Sequence, residues 1–187
     1  MRITSRWLVA PTLLCSAAVA VAQAPGGGAV QPPEVTTQRL LHAADDAGNW
    51  MIYGGNYWNQ RYSKLRQINT ANVGHLVPKM MFQTGISKLG SFENTPIVVD
   101  GTMYVTTPYN TLIAYDLKTK KQLWRYEHKL GTTIFCCGPN NRGVAIHGPH
   151  VYMGTLDAHL VALNRNDGSV LWDIQVADPA FGYSITA

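Results

Sequence analysis

A block of this sequence repeats without a gap at an offset of 48 residues: Tyr104, Thr107, Leu112, Ala114 and Trp124 return as Tyr152, Thr155, Leu160, Ala162 and Trp172. Met103 and Val151, Ile113 and Val161, and Asp116 and Asn164 match in kind. Each copy consists of short alternating or apolar runs separated by turns of Gly, Asp, Asn and Lys, which is strand-and-turn chemistry. A period of about 50 residues built this way is the mark of a β-propeller, with one four-stranded blade per repeat. The pattern predicts an all-β chain with strands near residues 95–100, 102–107, 111–116 and 122–127, then near 144–147, 150–155, 160–164 and 170–175.

Inside the repeat sits the motif Ala-x-Asp/Asn-x7-Trp, at Ala114-Tyr115-Asp116 with Trp124 and at Ala162-Leu163-Asn164 with Trp172. The small alanine leaves room for a large indole, and the Asp or Asn makes the turn bonds that fix it. One such match could be an ordinary core tryptophan after a turn. Two in strict register predict that Trp124 and Trp172 occupy equivalent, buried docking positions against neighbouring blades.

Ahead of the repeat, Arg2 and Arg6 precede an apolar run over residues 8–22 that closes with Ala22-Gln23-Ala24. A positive start, a short apolar core and an A-x-A site read as a secretory signal over residues 1–24. The run is too short, and its end too rich in small residues, for a membrane span. Leu14 is bulkier than the residue wanted before a lipidated cysteine, which argues against Cys15 as an anchor. The mature chain is expected in an oxidising compartment, a bacterial periplasm, where a structural disulfide persists. Residues 25–48 form a Gly/Pro-rich leader with Gly26-Gly27-Gly28 and Pro32-Pro33, then a short helix over 35–44 whose apolar face carries Val35, Leu40, Leu41 and Ala44. Residues 49–187 are the propeller part.

Losing Arg2 and Arg6 takes the chain from 15 basic and 11 acidic residues to 13 against 11, a net charge of +2. No like-charged block is long enough for a nucleic-acid or membrane tail, so no nucleic-acid partner is expected. The basic stretch from Lys118 to Lys129 is interleaved with Leu123, Trp124 and Tyr126 and reads as a solvated turn entering a strand. The six histidines lack zinc spacing, and none is assigned to a metal.

Cys136 and Cys137 are adjacent and are followed by Gly138-Pro139-Asn140-Asn141-Arg142-Gly143. With Cys15 in the signal, they are the cysteines of the mature chain. They can pair with each other, pair with another molecule, or remain two reduced thiols in a turn. Adjacent Cα atoms lie about 3.8 Å apart, against the roughly 4.4–6.8 Å usual for a disulfide, so a bond between them would close a strained ring.

The run Cys136-Cys137-x-x-x-x-Arg142-Gly143 resembles the pyrroloquinoline-quinone (PQQ)-dependent alcohol dehydrogenases of the methanol and ethanol dehydrogenase type. The run Trp50-Met51-Ile52-Tyr53-Gly54-Gly55, with Arg61-Tyr62-Ser63-x-Leu65-x-x-Ile68-Asn69, is similar to the opening of the same quinoproteins, and the Ala…Trp repeat is similar to their tryptophan-docking motif. The likeness covers residues 49–187. It departs from the family at Met80, where another tryptophan often precedes the counterpart of Phe82-Gln83-Thr84-Gly85.

The resemblance implies an eight-bladed propeller in the full protein, of which two to three blades are expected here. It implies a vicinal Cys136–Cys137 disulfide stacked on one face of the quinone, Arg142 facing a cofactor carboxylate, and Glu93 (in Phe92-Glu93-Asn94-Thr95-Pro96) and Thr186 as further cofactor contacts. A calcium or lanthanide ion, an aspartate base and a floor tryptophan are expected downstream of residue 187, so neither catalytic nor metal-binding residues are assigned within this chain. The activity implied is oxidation of a small primary alcohol by hydride transfer to PQQ, with electrons leaving to a cytochrome c or another acceptor; homo-oligomerisation stays open. The rival reading is a non-enzymatic propeller that acts as an outer-membrane assembly or binding scaffold. Such a scaffold has no reason to combine a CC pair, Arg142 and Glu93 at one mouth.

Overall fold

The computed structural model describes residues 33–87, 90–135 and 137–186. The predicted signal and residues 25–32 of the leader lie outside the described residues. The first repeat forms β1 (Ile97–Val99), β2 (Thr102–Thr107), β3 (Thr111–Asp116) and β4 (Lys121–Glu127). The second forms β5 (Ala145–His147), β6 (His150–Gly154), β7 (His159–Asn164) and β8 (Val170–Gln175). Each set is a separate four-stranded antiparallel sheet whose spatial order is its chain order, so one repeat is one meander. The strands fall where the repeat predicts them, with small differences at the ends. β1 starts at Ile97 because Pro96 has no N–H to give a ladder, and the N–H of Thr95 donates to the Arg142 carbonyl at 3.1 Å. β6 stops at Gly154 because the Thr155 N–H turns to close the next hairpin on the His159 carbonyl at 2.9 Å.

The repeated residues form matching rows across the two sheets. Ala114 pairs with Tyr104 on one side and Trp124 on the other, and Ala162 pairs with Tyr152 and Trp172. Over each alanine the tyrosine and tryptophan rings approach to 5.9 Å between centroids. A larger side chain at the centre would separate them. The register shifts immediately after each alanine, so the β-bulge repeats as well. Asp116 Oδ1 accepts from the N–H groups of Lys118 and Thr119, and its counterpart Asn164 Oδ1 accepts from Asn166 N–H. These are the local turn bonds expected of Asx residues.

The same turn holds a residue in the left-handed region in each copy, Lys120 at φ 61° and Gly168 at φ 73°. The second must be glycine for a further reason: a Cβ at Gly168 would lie 2.6 Å from the Trp124 ring. Trp124 of the first sheet thus packs flat on the β7–β8 turn of the second and donates from Nε1 to the Arg165 carbonyl at 3.0 Å. It is 7% exposed, whereas Trp172 is 37% exposed. The equivalence of the two sites therefore holds within each sheet but not in burial. No further sheet covers β8 among the described residues, and Leu171, Ile174 and Val176 are exposed with Trp172.

The leader joins both sheets. Val35 bridges Gly148 at the β5–β6 turn, and Trp50 bridges Val98 of β1. The helix is shorter than predicted, α1 (Thr37–Leu41), with the Thr36 side chain capping Arg39 N–H. A 3-10 turn at Ala43–Asp45 follows, so Leu40 and Ala43 face inward and Leu41 is exposed. Leu40, Ala43 and Val35 enter one core with Ile97, Leu112, Trp124, Val151 and Leu163, which spans both sheets. Arg39 grips Asp100 at the β1–β2 turn through both terminal nitrogens, at 2.8 and 3.2 Å, and Arg165 approaches the same carboxylate at 3.6 Å. A second cluster joins Val105, Ile113 and Tyr115, and Phe82 stacks on Tyr115 at 4.0 Å. The run 82–85 therefore docks on the first sheet with Met80 in place of tryptophan.

Candidate functional site

Three loops converge in front of the sheets. Glu93 lies in the approach to β1, Arg142 in the approach to β5, and Thr186 beyond the 3-10 turn Pro179–Phe181 that follows β8. That turn is started by the Asp178 side chain, which accepts from Ala180 N–H, and ended by Gly182 at φ 82°. The chain then returns so that the Thr186 carbonyl accepts from the Arg142 N–H at 2.8 Å. The Arg142 carbonyl accepts from Thr95. Its backbone is held from both sides before its side chain makes any contact.

The guanidinium joins the other two residues. Nη2 lies 2.9 Å from Glu93 Oε2, and Nη1 donates to Thr186 Oγ1 at 2.7 Å. Both ionic side chains remain over a third exposed, at 37% for Arg142 and 39% for Glu93. The pair is thus partly solvated, worth roughly 0–1 kcal/mol to the fold. The described contacts use only part of the five N–H donors an arginine carries.

A buried amide network sets this geometry. Asn140 Nδ2 donates to Glu93 Oε1 at 2.9 Å and to the Cys137 carbonyl at 3.2 Å. Ser91 Oγ lies 2.7 Å from Asn140 Oδ1 and 3.0 Å from Glu93 Oε1, so its proton serves one at a time. Asn141 Nδ2 donates to the Gly154 carbonyl at the end of β6 and to Asn110 Oδ1 at the β2–β3 turn, while its Oδ1 accepts from Gly143 N–H. Both asparagines are buried. Sequence reasoning singled out neither, nor Ser91. The available signal was the Asn140-Asn141 pair itself, since two adjacent amides in a loop next to a charged residue are suited to bracing backbone.

Around Arg142 lie two concavities. One of about 200 Å³ is lined by Cys137, Gly138, Asn140, Arg142, Leu156, Ser184 and Thr186. Another of about 300 Å³, more apolar, is bounded by Tyr53, Arg142, Tyr152, Leu160 and Ile185. A larger concavity of about 680 Å³ shares no lining residue with either. Cys136 lies outside the described residues, so the Cys136–Cys137 pairing has no described geometry. A forked cation with spare donors, a hydroxyl and a carboxylate lie together at an open surface. The cation's spare N–H groups can hold a polycarboxylate ligand by charge-assisted hydrogen bonds, while the carboxylate is balanced by the guanidinium.

The family model described as glucose/ethanol/alcohol dehydrogenase, beta-propeller domain (PQQ) matches residues 50–176. The chain belongs to this PQQ β-propeller family. It is 42% identical over 181 residues to a quinoprotein ethanol dehydrogenase of Pseudomonas aeruginosa, covering 96% of this chain and 29% of that protein. It is 38% identical over 177 residues to a 1-butanol dehydrogenase (quinone) of Thauera butanivorans, covering 94% and 28%. Among solved structures, a europium-containing methanol dehydrogenase superposes with a TM-score of 0.74 at 36% identity over 81% of this chain and 27% of that one. The chain thus spans less than a third of the length of each of these relatives.

Proposed function

We propose that Glu93, Arg142 and Thr186, with Cys137 beside them and Cys136 next to it in sequence, form one wall of a PQQ site in a periplasmic dehydrogenase that oxidises a primary alcohol to an aldehyde. The observation that carries this reading is the convergence of three loops, far apart in sequence, on one partly solvated guanidinium. A purely structural arginine would be expected to spend its donors on the fold; Arg142 instead contacts two partners that are themselves at the open surface. Bound PQQ would supply the hydride acceptor.

The roles of the chain's own residues follow from their contacts. Arg142 binds and orients a carboxylate of the ligand with its spare N–H groups. Glu93, held by Asn140, fixes one terminal nitrogen of the fork and acts as a polar contact, its charge balanced by Arg142. Thr186 anchors the other terminal nitrogen. Calcium or a lanthanide is the expected ion, with ligands in sequence beyond residue 187, and a cytochrome c or another one-electron acceptor is the expected redox partner. The exposed apolar residues of β8 suit docking of a further blade in the whole protein.

The test is alcohol-dependent dye reduction by the whole protein, prepared as apo-protein and then given PQQ with Ca²⁺ or a lanthanide. Turnover of primary alcohols that depends on added PQQ supports the reading. No turnover with PQQ and either ion across short-chain alcohols refutes it.

A further inference from the structure

A cluster outside the Arg142 site remains unused by that reading. His128 follows β4 of the first sheet, while His159 begins β7 and Asp173 lies on β8 of the second. One ligand-type atom from each can be chosen so that all three lie within 4.8 Å of one another. His159 Nδ1 is 2.6 Å from Asp173 Oδ1, and His128 Nδ1 is 3.8 Å from Asp173 Oδ2. Ligands about 2.0–2.1 Å from a tetrahedral zinc ion sit about 3.3 Å apart. The two separations, one to each oxygen of Asp173, bracket that value, and the whole set lies within 4.8 Å.

The residue behind His128 strengthens the case. His128 Nε2 faces the carboxylate of Asp157 at 2.9 and 3.1 Å, and Asp157 is itself fixed by Thr155 Oγ1 at 2.6 Å and Gly131 N–H at 2.8 Å. Both side chains are buried, 5% exposed for His128 and 3% for Asp157. A carboxylate on Nε2 holds the proton there and makes Nδ1 the lone-pair side of the ring, the arrangement by which metal-binding histidines are oriented. Tyr126 O–H, 3.1 Å away, donates to that lone pair, so an ion bound at Nδ1 takes the place of this hydrogen bond. His159 and Asp173 keep 27% and 34% exposure, which leaves an entry path.

We propose that His128, His159 and Asp173 bind one borderline transition-metal ion, of which Zn²⁺ is the type, and that this ion ties the first blade to the second. Two imidazoles and one carboxylate suit Zn²⁺, Ni²⁺ or Cu²⁺ over Ca²⁺ or lanthanides, which prefer all-oxygen sets. Binding through His159 Nδ1 moves that ring's proton to Nε2 and replaces its hydrogen bond to Asp173 with coordination of both by the ion.

The experiment is titration of the untagged full chain with Zn²⁺ alone, with and without a large excess of Ca²⁺, read by calorimetry and by the shift of the thermal midpoint. The variants are His159→Ala and Asp173→Asn, both at partly exposed positions, with His150→Ala as a control outside the cluster. The expected result is one saturable Zn²⁺ per chain, a raised midpoint, no competition by Ca²⁺, and at least tenfold weaker binding in both cluster variants with unchanged far-UV circular dichroism. His150→Ala should bind as the parent does. Absence of saturable binding, or Zn²⁺ binding that survives His159→Ala and Asp173→Asn, overturns the assignment.

Discussion

Replacing Trp124 with alanine should destabilise the chain more than the same change at Trp172, although both occupy the same place in the repeat. The two indoles differ in exposure by 30% of their surface, 37% less 7%. On a tryptophan surface of roughly 250 Å², that is about 75 Å² more removed from water at Trp124, or about 2 kcal/mol at about 25 cal/mol per Å². Trp124→Ala also strips the Arg165 carbonyl of its indole donor and leaves a void against the Gly168 turn, while Trp172→Ala opens onto solvent. Loss of a core tryptophan costs roughly 3–5 kcal/mol, so Trp172→Ala should cost about 1–3 kcal/mol in this chain. Urea unfolding followed by far-UV circular dichroism, with the slope unchanged between variants, measures both. Equal losses, or a larger loss at Trp172, would refute the reasoning that Trp124 alone is docked between sheets here.

The remaining predictions concern other parts of the molecule. Mass spectrometry of exported protein under non-reducing conditions should find the Cys136–Cys137 peptide two hydrogens lighter than after reduction, and two freely alkylated thiols would count against a vicinal disulfide. Burial pushes the Tyr104 phenol up to about 12, so its phenolate should appear well above pH 10 in a rapid spectrophotometric titration. Because the folded value lies above the unfolded one, the stability linked to Tyr104 is complete below about pH 10 and is lost as pH rises towards 12. Asn141→Ala leaves the Gly154 carbonyl and Gly143 N–H without their partner, at roughly 1–3 kcal/mol for each buried group, and should weaken PQQ binding without altering a charge. A loss of stability well under 1 kcal/mol would count against its role as the brace of the Arg142 loop.

The strands were legible because the repeat states each of them twice: an alternation at β2 is read again at β6, and the bulge after Ala114 returns after Ala162. The loop residues Glu93, Arg142 and Thr186 could be named from motifs, but their mutual contacts depend on how the approaches to β1 and β5 meet and on the return of the chain after β8, which no local pattern encodes. The helix face was misread at Leu41 because α1 ends there and the following 3-10 turn rotates Ala43 inward. Asn140, Asn141 and Ser91 escaped notice because loop amides carry no periodicity. The His128, His159 and Asp173 cluster was illegible for another reason: its members come from two sheets, with none of the short spacings that mark a metal motif.

The most direct test of the central claim is PQQ titration of the whole apo-protein as parent, Arg142→Ala and Arg142→Lys, each with its thermal unfolding curve. A charge-assisted contact to a carboxylate is worth roughly 1.5–3 kcal/mol, which predicts about ten- to a hundredfold weaker binding in Arg142→Ala. Arg142→Lys keeps the charge without the fork and should recover only part of that loss. The partly solvated pair with Glu93 contributes little to the fold, so the unfolding midpoint of the apo-protein should change little. Binding by Arg142→Ala as tight as the parent's, or weakened only in proportion to lost fold, would contradict the account and return Arg142 to a structural loop residue.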